Sequence, residues 1–129
     1  MTSLYRDIPL ETAAERAWEM LRDSRQLARV FAGVLTDARV DGDVRTVTFA
    51  NGAVVQERIV TIDEARMRVA YAVIGPNFEQ HAASMQIVPD ADGHCRFVWI
   101  CDFLPEERRA VVEPLMDAGC AAATRNLAG

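Results

Sequence analysis

Residues 43–71 read DVRTVTFANGAVVQERIVTIDEARMRVAY, and the way this stretch pairs with itself decides the fold. Its segments are rich in Val, Ile, Thr and Phe, the residues that fit a pleated, half-buried surface. The interruptions at Ala50-Asn51-Gly52 and Asp63-Glu64-Ala65 carry turn residues, so the spacing predicts three antiparallel strands. Asn-Gly serves two hairpin loops. A two-residue loop pairs Arg45 with Arg58, and like charges directly opposite are unfavourable. A three-residue loop with Gly52 left-handed pairs Arg45 with Glu57, Val47 with Val55 and Phe49 with Ala53. It leaves Thr46, Thr48, Gln56 and Arg58 on the other face. This second solution sorts apolar from polar and opposes unlike charges, so it is adopted. A slip of one residue would turn every side chain over.

Counting on across Asp63-Glu64-Ala65 sets Ile59 against Val69 and Glu57 against Tyr71. The inner face is then expected to carry Arg45, Glu57 and Tyr71 in a row, among Val47, Val55, Ile59, Val69 and Val73. Charges in such surroundings must be paired or change protonation.

The remaining chain extends the same pattern. Residues 3–9 read as a strand. Thr12 and Glu15 have the spacing of a capping box for a helix to about Arg22, with Ala14, Ala17, Trp18 and Leu21 on one face. Ser24 is expected to cap a second short helix that Gly33 closes. A strand over 34–41 leads into the central stretch. Gly75-Pro76-Asn77 ends the fifth strand, a sixth runs from Gln80 to Val88, and Ala91-Asp92-Gly93 turns into a seventh from His94 to Phe103. Counting across that turn opposes Met85 to Trp99 and His81 to Phe103. Val98 and Ile100 face outward, a surface compatible with a homodimer. Pro105 begins a final helix with the apolar stripe Val112, Leu115, Met116, Gly119, Ala123 and Leu127, and Pro114 is expected to kink it. The order is α+β, with helices on one face of an antiparallel sheet.

Composition excludes several functions. With 129 residues, half of them hydrophobic, one domain spanning 1–129 with one core is expected. A net charge of −5 argues against nucleic acid as a partner. No apolar run approaches the ~18 residues of a membrane span, and no signal peptide is visible, so a cytoplasmic location without membrane attachment is expected. All 14 basic residues are arginine, which rules out lysine Schiff-base chemistry and a phosphate-loop lysine. The three cysteines have no metal-ligand spacing and read as small buried hydrophobes. No metal and no organic cofactor is expected.

The order of elements, with Trp18 in AERAWEML, Arg45 in GDVRTVTF, Asn51-Gly52, Glu57-Arg58 in VQERI, Tyr71, Trp99 in FVWICDF, and EPLMDAG in the last helix, resembles the START-like or SRPBCC superfamily. The nearest look is to its bacterial polyketide cyclase/dehydrase-like branch. The chain departs from that pattern at His81, where many relatives carry an aromatic residue, and in a last helix that stops without a basic tail. The resemblance implies the helix-grip fold, a curved seven-stranded antiparallel sheet around a long C-terminal helix with two short helices between the first two strands. It also implies a cavity between sheet and helix, but no single activity, because this fold hosts cyclases, carriers and binders.

Within that cavity the candidate catalytic residues are Glu57 as general base, with Tyr71 and His81 moving protons. Arg45, Met85, Phe97, Trp99, Phe103, Val112, Leu115 and Met116 are the candidate ligand-binding residues. Arg45–Glu57 has a structural reading as well, an inward ion pair that fixes register. Breaking such a pair costs about 3–5 kcal/mol. Tyr71 is expected to donate to Glu57, and His94 to be exposed. Two functions stay open: cofactor-independent cyclisation or dehydration of an aromatic or polyketide-like carbonyl compound, and non-catalytic carriage or sensing of a small hydrophobic ligand.

Overall fold

The computed structural model describes residues 2–129. Its elements run β1 (Thr2–Leu10), α1 (Ala14–Leu21), α2 (Leu27–Val30), β2 (Leu35–Asp41), β3 (Val44–Phe49), β4 (Val54–Asp63), β5 (Arg68–Ile74), β6 (Gln80–Pro89), β7 (Cys95–Leu104) and α3 (Arg109–Asn126). Short 3-10 turns precede α2 and α3. The seven strands form one antiparallel sheet in the order β1-β7-β6-β5-β4-β3-β2, which curves around α3. This is the architecture expected from the sequence.

The β3–β4 hairpin has the three-residue register. Arg45 pairs with Glu57 and Val47 with Val55, Gly52 is left-handed at φ 91°, and the Asn51 side chain accepts from the Ala53 amide. The β6–β7 register is also as counted, with Met85 against Trp99 and His81 against Phe103.

The β4–β5 register differs. The turn is longer than Asp63-Glu64-Ala65: Asp63 pairs with Arg68, its carboxylate accepts from the Arg66 amide, and Met67 closes the turn at φ 52°. A bulge between Ile59 and Thr61 then takes one residue back, so Ile59 pairs with Tyr71 and Glu57 with Val73. Val60, the bulged residue, points to solvent. The net displacement is even. Glu57, Ile59, Tyr71 and Val73 therefore keep the inward face they were assigned, although Glu57 and Tyr71 are no longer directly opposed.

Two helix starts also differ from expectation. Ala13, not Thr12, stands at the N-cap of α1, and no side chain caps it. Thr12 is drawn into the core, its hydroxyl buried without a partner. Burial has overridden the capping box there. Asp23 rather than Ser24 caps the next turn, and Ser24 is turned inward. Val98 and Ile100 are half-buried.

Helix α3 is anchored along its C-terminal half. Met116, Gly119, Cys120, Ala122 and Ala123 are buried, and Asn126 donates to the carbonyls of Val30 and Ala32. Arg6 of β1 holds the outer side through Glu113 (2.8 Å) and Asp117 (2.7 Å). The N-terminal half is looser: Val111 is exposed, and Val112 and Leu115 are half-buried. Pro114 lies inside the continuous helix between the two halves. On the other side, Trp18 of α1 donates to Glu64 in the β4–β5 turn (2.7 Å), and Arg22 adds an ion pair to the same carboxylate (2.6 Å).

Helix and sheet approach closely at Gly119. A Cβ there would lie 2.8 Å from the Trp99 ring, which is held by Tyr71 and by Phe31 and has no easy retreat. Gly119→Ala is expected to destabilise the protein by about 1–3 kcal/mol, read as a lower midpoint in urea unfolding. An unchanged midpoint would mean that Trp99 moves freely.

Candidate functional site

A cavity of about 270 Å³ lies between the concave face of the sheet and α3. The sheet supplies its floor through Arg45, Val47, Glu57, Tyr71, Met85, Trp99 and Cys101, and α3 its roof through Val112, Leu115, Met116 and Gly119. Phe31 of the α2 segment and Phe78, in the loop between β5 and β6, close the sides. The lining is mostly apolar with a few polar groups, the usual make-up of a small-molecule site.

Arg45 is 1% exposed, the most deeply buried charge in the described residues. Its Nε donates to Glu57 Oε1 at 2.7 Å and its Nη1 to the Ser24 hydroxyl at 3.3 Å, and the guanidinium lies over the Tyr71 ring, 4.4 Å from its centre. Pairing with an anion, a hydroxyl and an aromatic face is what a buried guanidinium requires. Glu57 has 13% of its side chain exposed, and no protein donor among the described residues meets its second oxygen.

Tyr71 does not donate to Glu57 as expected. With the register moved, its ring lies beneath Arg45 and its hydroxyl accepts from Trp99 Nε1 at 2.9 Å. Burial raises its phenol well above the usual value, reinforced by the nearby Cys101 and Glu57, with Arg45 and Trp99 pulling the other way. Cys101 is pushed up to about 12, again mainly by burial. At neutral pH both stay protonated and behave as cavity walls rather than as nucleophiles.

His81 faces the cavity from β6. Where the β5–β6 ladder ends at Tyr71–Ala83, the ring takes over the next backbone bond: the Val73 amide donates to His81 Nδ1 at 3.1 Å. An amide can only donate, so Nδ1 carries no proton, and the neutral ring bears its hydrogen on Nε2. Burial lowers the pKa of His81 from 6.5 to about 4, against the opposing pull of Asp102. The ring is packed between Tyr71 (5.9 Å) and Phe78 (4.9 Å). At neutral pH His81 thus presents a hydrogen-bond donor to the cavity and is not a free base.

Of the residues singled out from sequence, Arg45, Glu57, Tyr71, His81, Met85, Trp99, Val112, Leu115 and Met116 line the cavity. Phe97 and Phe103 do not. Both are 1% exposed and stand behind the wall, Phe97 packed on Trp99 and Phe31, and Phe103 edge-on to Phe78. Sequence reasoning missed Phe78 and Arg108 as lining residues. Phe78 stands in a stretch read only as a strand break, and Arg108 in Glu106-Glu107-Arg108-Arg109, which looks like a solvated helix start. An aromatic residue beside Pro76-Asn77 was the available signal. Among the described residues no cluster of His, Cys, Asp and Glu could hold a metal, and no helix is long and apolar enough to cross a membrane.

The His81 bond has a measurable consequence. The unfolded chain protonates His81 near 6.5, the folded chain only near 4. Between these values the unfolded state binds the extra proton, so stability present above 6.5 is lost as pH falls. The melting temperature is expected to drop between pH 7 and 5.5, and His81→Gln is expected to flatten that drop. Equal slopes in the two proteins would show that His81 is not the linked group. Because the ring also satisfies the Val73 amide, His81→Ala is expected to lower stability by about 1–3 kcal/mol.

Comparison with known proteins agrees with this architecture. The family model described as polyketide cyclase / dehydrase and lipid transport matches residues 1–129. No curated protein matches. Among solved structures, an uncharacterised protein from Bacillus thuringiensis is similar with a TM-score of 0.85 at 14% identity, covering 98% of each chain. A protein from Thermobifida fusca solved by solution NMR has a TM-score of 0.76 at 25% identity, covering 98% of this chain and 93% of its own. Truncated norcoclaurine synthase from Thalictrum flavum has a TM-score of 0.72 at 15% identity, covering 96% of this chain and 91% of its own. The fold is thus the helix-grip arrangement of the SRPBCC proteins, and the chain belongs to the polyketide cyclase / dehydrase and lipid transport family.

Proposed function

We propose that the protein binds a small hydrophobic carbonyl compound, aromatic or polyketide-like, between α3 and the sheet. The observation that carries this reading is an apolar cavity in which two polar groups have unused capacity, the Nε2–H of His81 and the second oxygen of Glu57. A donor for a carbonyl oxygen and an acceptor for a proton are what an enolisable ligand would use. In the catalytic form of the reading, His81 donates to the carbonyl oxygen while Glu57 takes a proton from the adjacent carbon and returns it. Such chemistry needs no organic cofactor, and it is the first half of an aldol-type cyclisation or a dehydration.

A second reading, carriage or sensing without chemistry, is favoured by how fully the floor is already bonded. Arg45 is engaged with Glu57, Ser24 and Tyr71, and the Tyr71 hydroxyl accepts from Trp99. Both readings place the same kind of ligand in the same cavity.

Native mass spectrometry of the protein purified from its own host is expected to show a mass that leaves on denaturation and is soluble in organic solvent. Finding only the bare chain under gentle conditions, with no aromatic ketone binding on titration, would overturn the reading. The two forms separate by hydrogen–deuterium exchange next to the carbonyl of the recovered ligand. The catalytic form predicts exchange accelerated by the protein and abolished in Glu57→Gln. The carrier form predicts no acceleration. In either case Glu57→Gln leaves Arg45 without its counter-charge and is expected to cost about 3 kcal/mol of stability.

A further inference from the structure

Arg108 stands at the N-terminal end of α3 and lines the same cavity as His81 and Phe78. Its guanidinium lies over the Phe78 ring, 5.3 Å from the centre, and its Nε is buried without a hydrogen-bond partner. Glu106 and Glu107 are its sequence neighbours, and neither forms an ion pair with it. Among the described residues no carboxylate comes within ion-pair distance, whereas the adjacent Arg109 is paired with Glu113. The cavity's other cation, Arg45, is neutralised by Glu57. The cavity therefore holds one positive charge in excess at the Phe78 side, and that charge has a buried donor with nothing to bond.

A buried donor without an acceptor is costly, and an ionised one more so. Phe78 touches both Arg108 and the His81 ring, so the cation and the Nε2–H donor flank a single aromatic surface. Resting on the ligand reading given above, we infer that the ligand is an organic anion: an aromatic or polyketide-like acid whose carboxylate or equivalent oxyanion pairs with Arg108 while its ring system enters beneath α3. The guanidinium fork suits a planar oxyanion. A neutral ligand could accept from Arg108 Nε but would leave the positive charge without a counter-charge.

Two fluorescent probes of similar size test this: 8-anilinonaphthalene-1-sulfonate, an anion, and N-phenyl-1-naphthylamine, its neutral counterpart. Titrations would use the full chain, Arg108→Gln, and Arg68→Gln, an arginine outside the cavity that also lacks an ion pair among the described residues. Arg108→Gln is expected to weaken the anionic probe about ten-fold and to leave the neutral probe within about two-fold, which also shows that the variant is folded. Arg68→Gln is expected to leave both unchanged. Arg108→Gln binding the anion as the parent does, losing both probes alike, or matching Arg68→Gln in its loss would overturn the inference. Should the neutral probe bind and charge make no difference, the inference falls and the cavity reading stands. Should the parent bind neither probe, both fall.

Discussion

A guanidinium with almost no exposure to water sits at the centre of this protein, and the rest of the concave face is arranged to make that tolerable. Arg45 needs a counter-charge, so Glu57 must lie directly across the β3–β4 ladder, which excludes the two-residue loop and fixes the hairpin register. Its Nη1 reaches Ser24, which ties the segment between α1 and α2 down onto the sheet. Its face rests on Tyr71, which in turn receives Trp99. Strands β3, β4 and β5 and the turn between α1 and α2 thus meet at one side chain, and β7 joins them through Tyr71. Breaking such a pair costs about 3–5 kcal/mol, while replacing both partners by apolar groups can cost little. What the pair secures is register and a charged, hydrogen-bonded floor under a mostly apolar cavity.

The end of the β5–β6 ladder sets a second polar group of the cavity. The ladder stops at Tyr71–Ala83, and the amide of Val73, which has no partner on β6, is satisfied by an imidazole instead. The same bond dictates the tautomer of His81, so a structural necessity sets the chemistry that this residue can offer. Electrostatic preorganisation of this kind costs nothing further when a ligand arrives.

The sheet was legible in the sequence wherever a turn had short-range chemistry and a two-residue period to count along. Asn51-Gly52 and Asp92-Gly93 gave correct registers because Gly adopts the left-handed conformation at its place in the turn. The β4–β5 connection was misread because nothing in Asp63-Glu64-Ala65-Arg66-Met67 announces a positive φ at Met67, and a bulge at Val60 leaves no mark in the apolar pattern. The inward face survived since the two errors sum to an even displacement. Thr12 illustrates the converse: its capping signal was genuine, but tertiary burial took the residue elsewhere. Lining residues on strands were found by alternation. Phe78 and Arg108 stand where periodicity does not operate, so only the folded chain brings them to the cavity.

The two tryptophans divide the molecule spectroscopically. Trp99 forms part of the cavity wall, its ring against Phe31 and Gly119 and its indole N–H bonded to Tyr71. Trp18 is anchored to Glu64 and is not among the residues lining the cavity. Emission from Trp99 therefore senses what occupies the space beneath α3, while emission from Trp18 senses the junction of α1 with the β4–β5 turn. The chain thus carries an intrinsic reporter of occupancy together with its own internal reference, and replacing Trp18 by phenylalanine would isolate the first signal without touching the cavity.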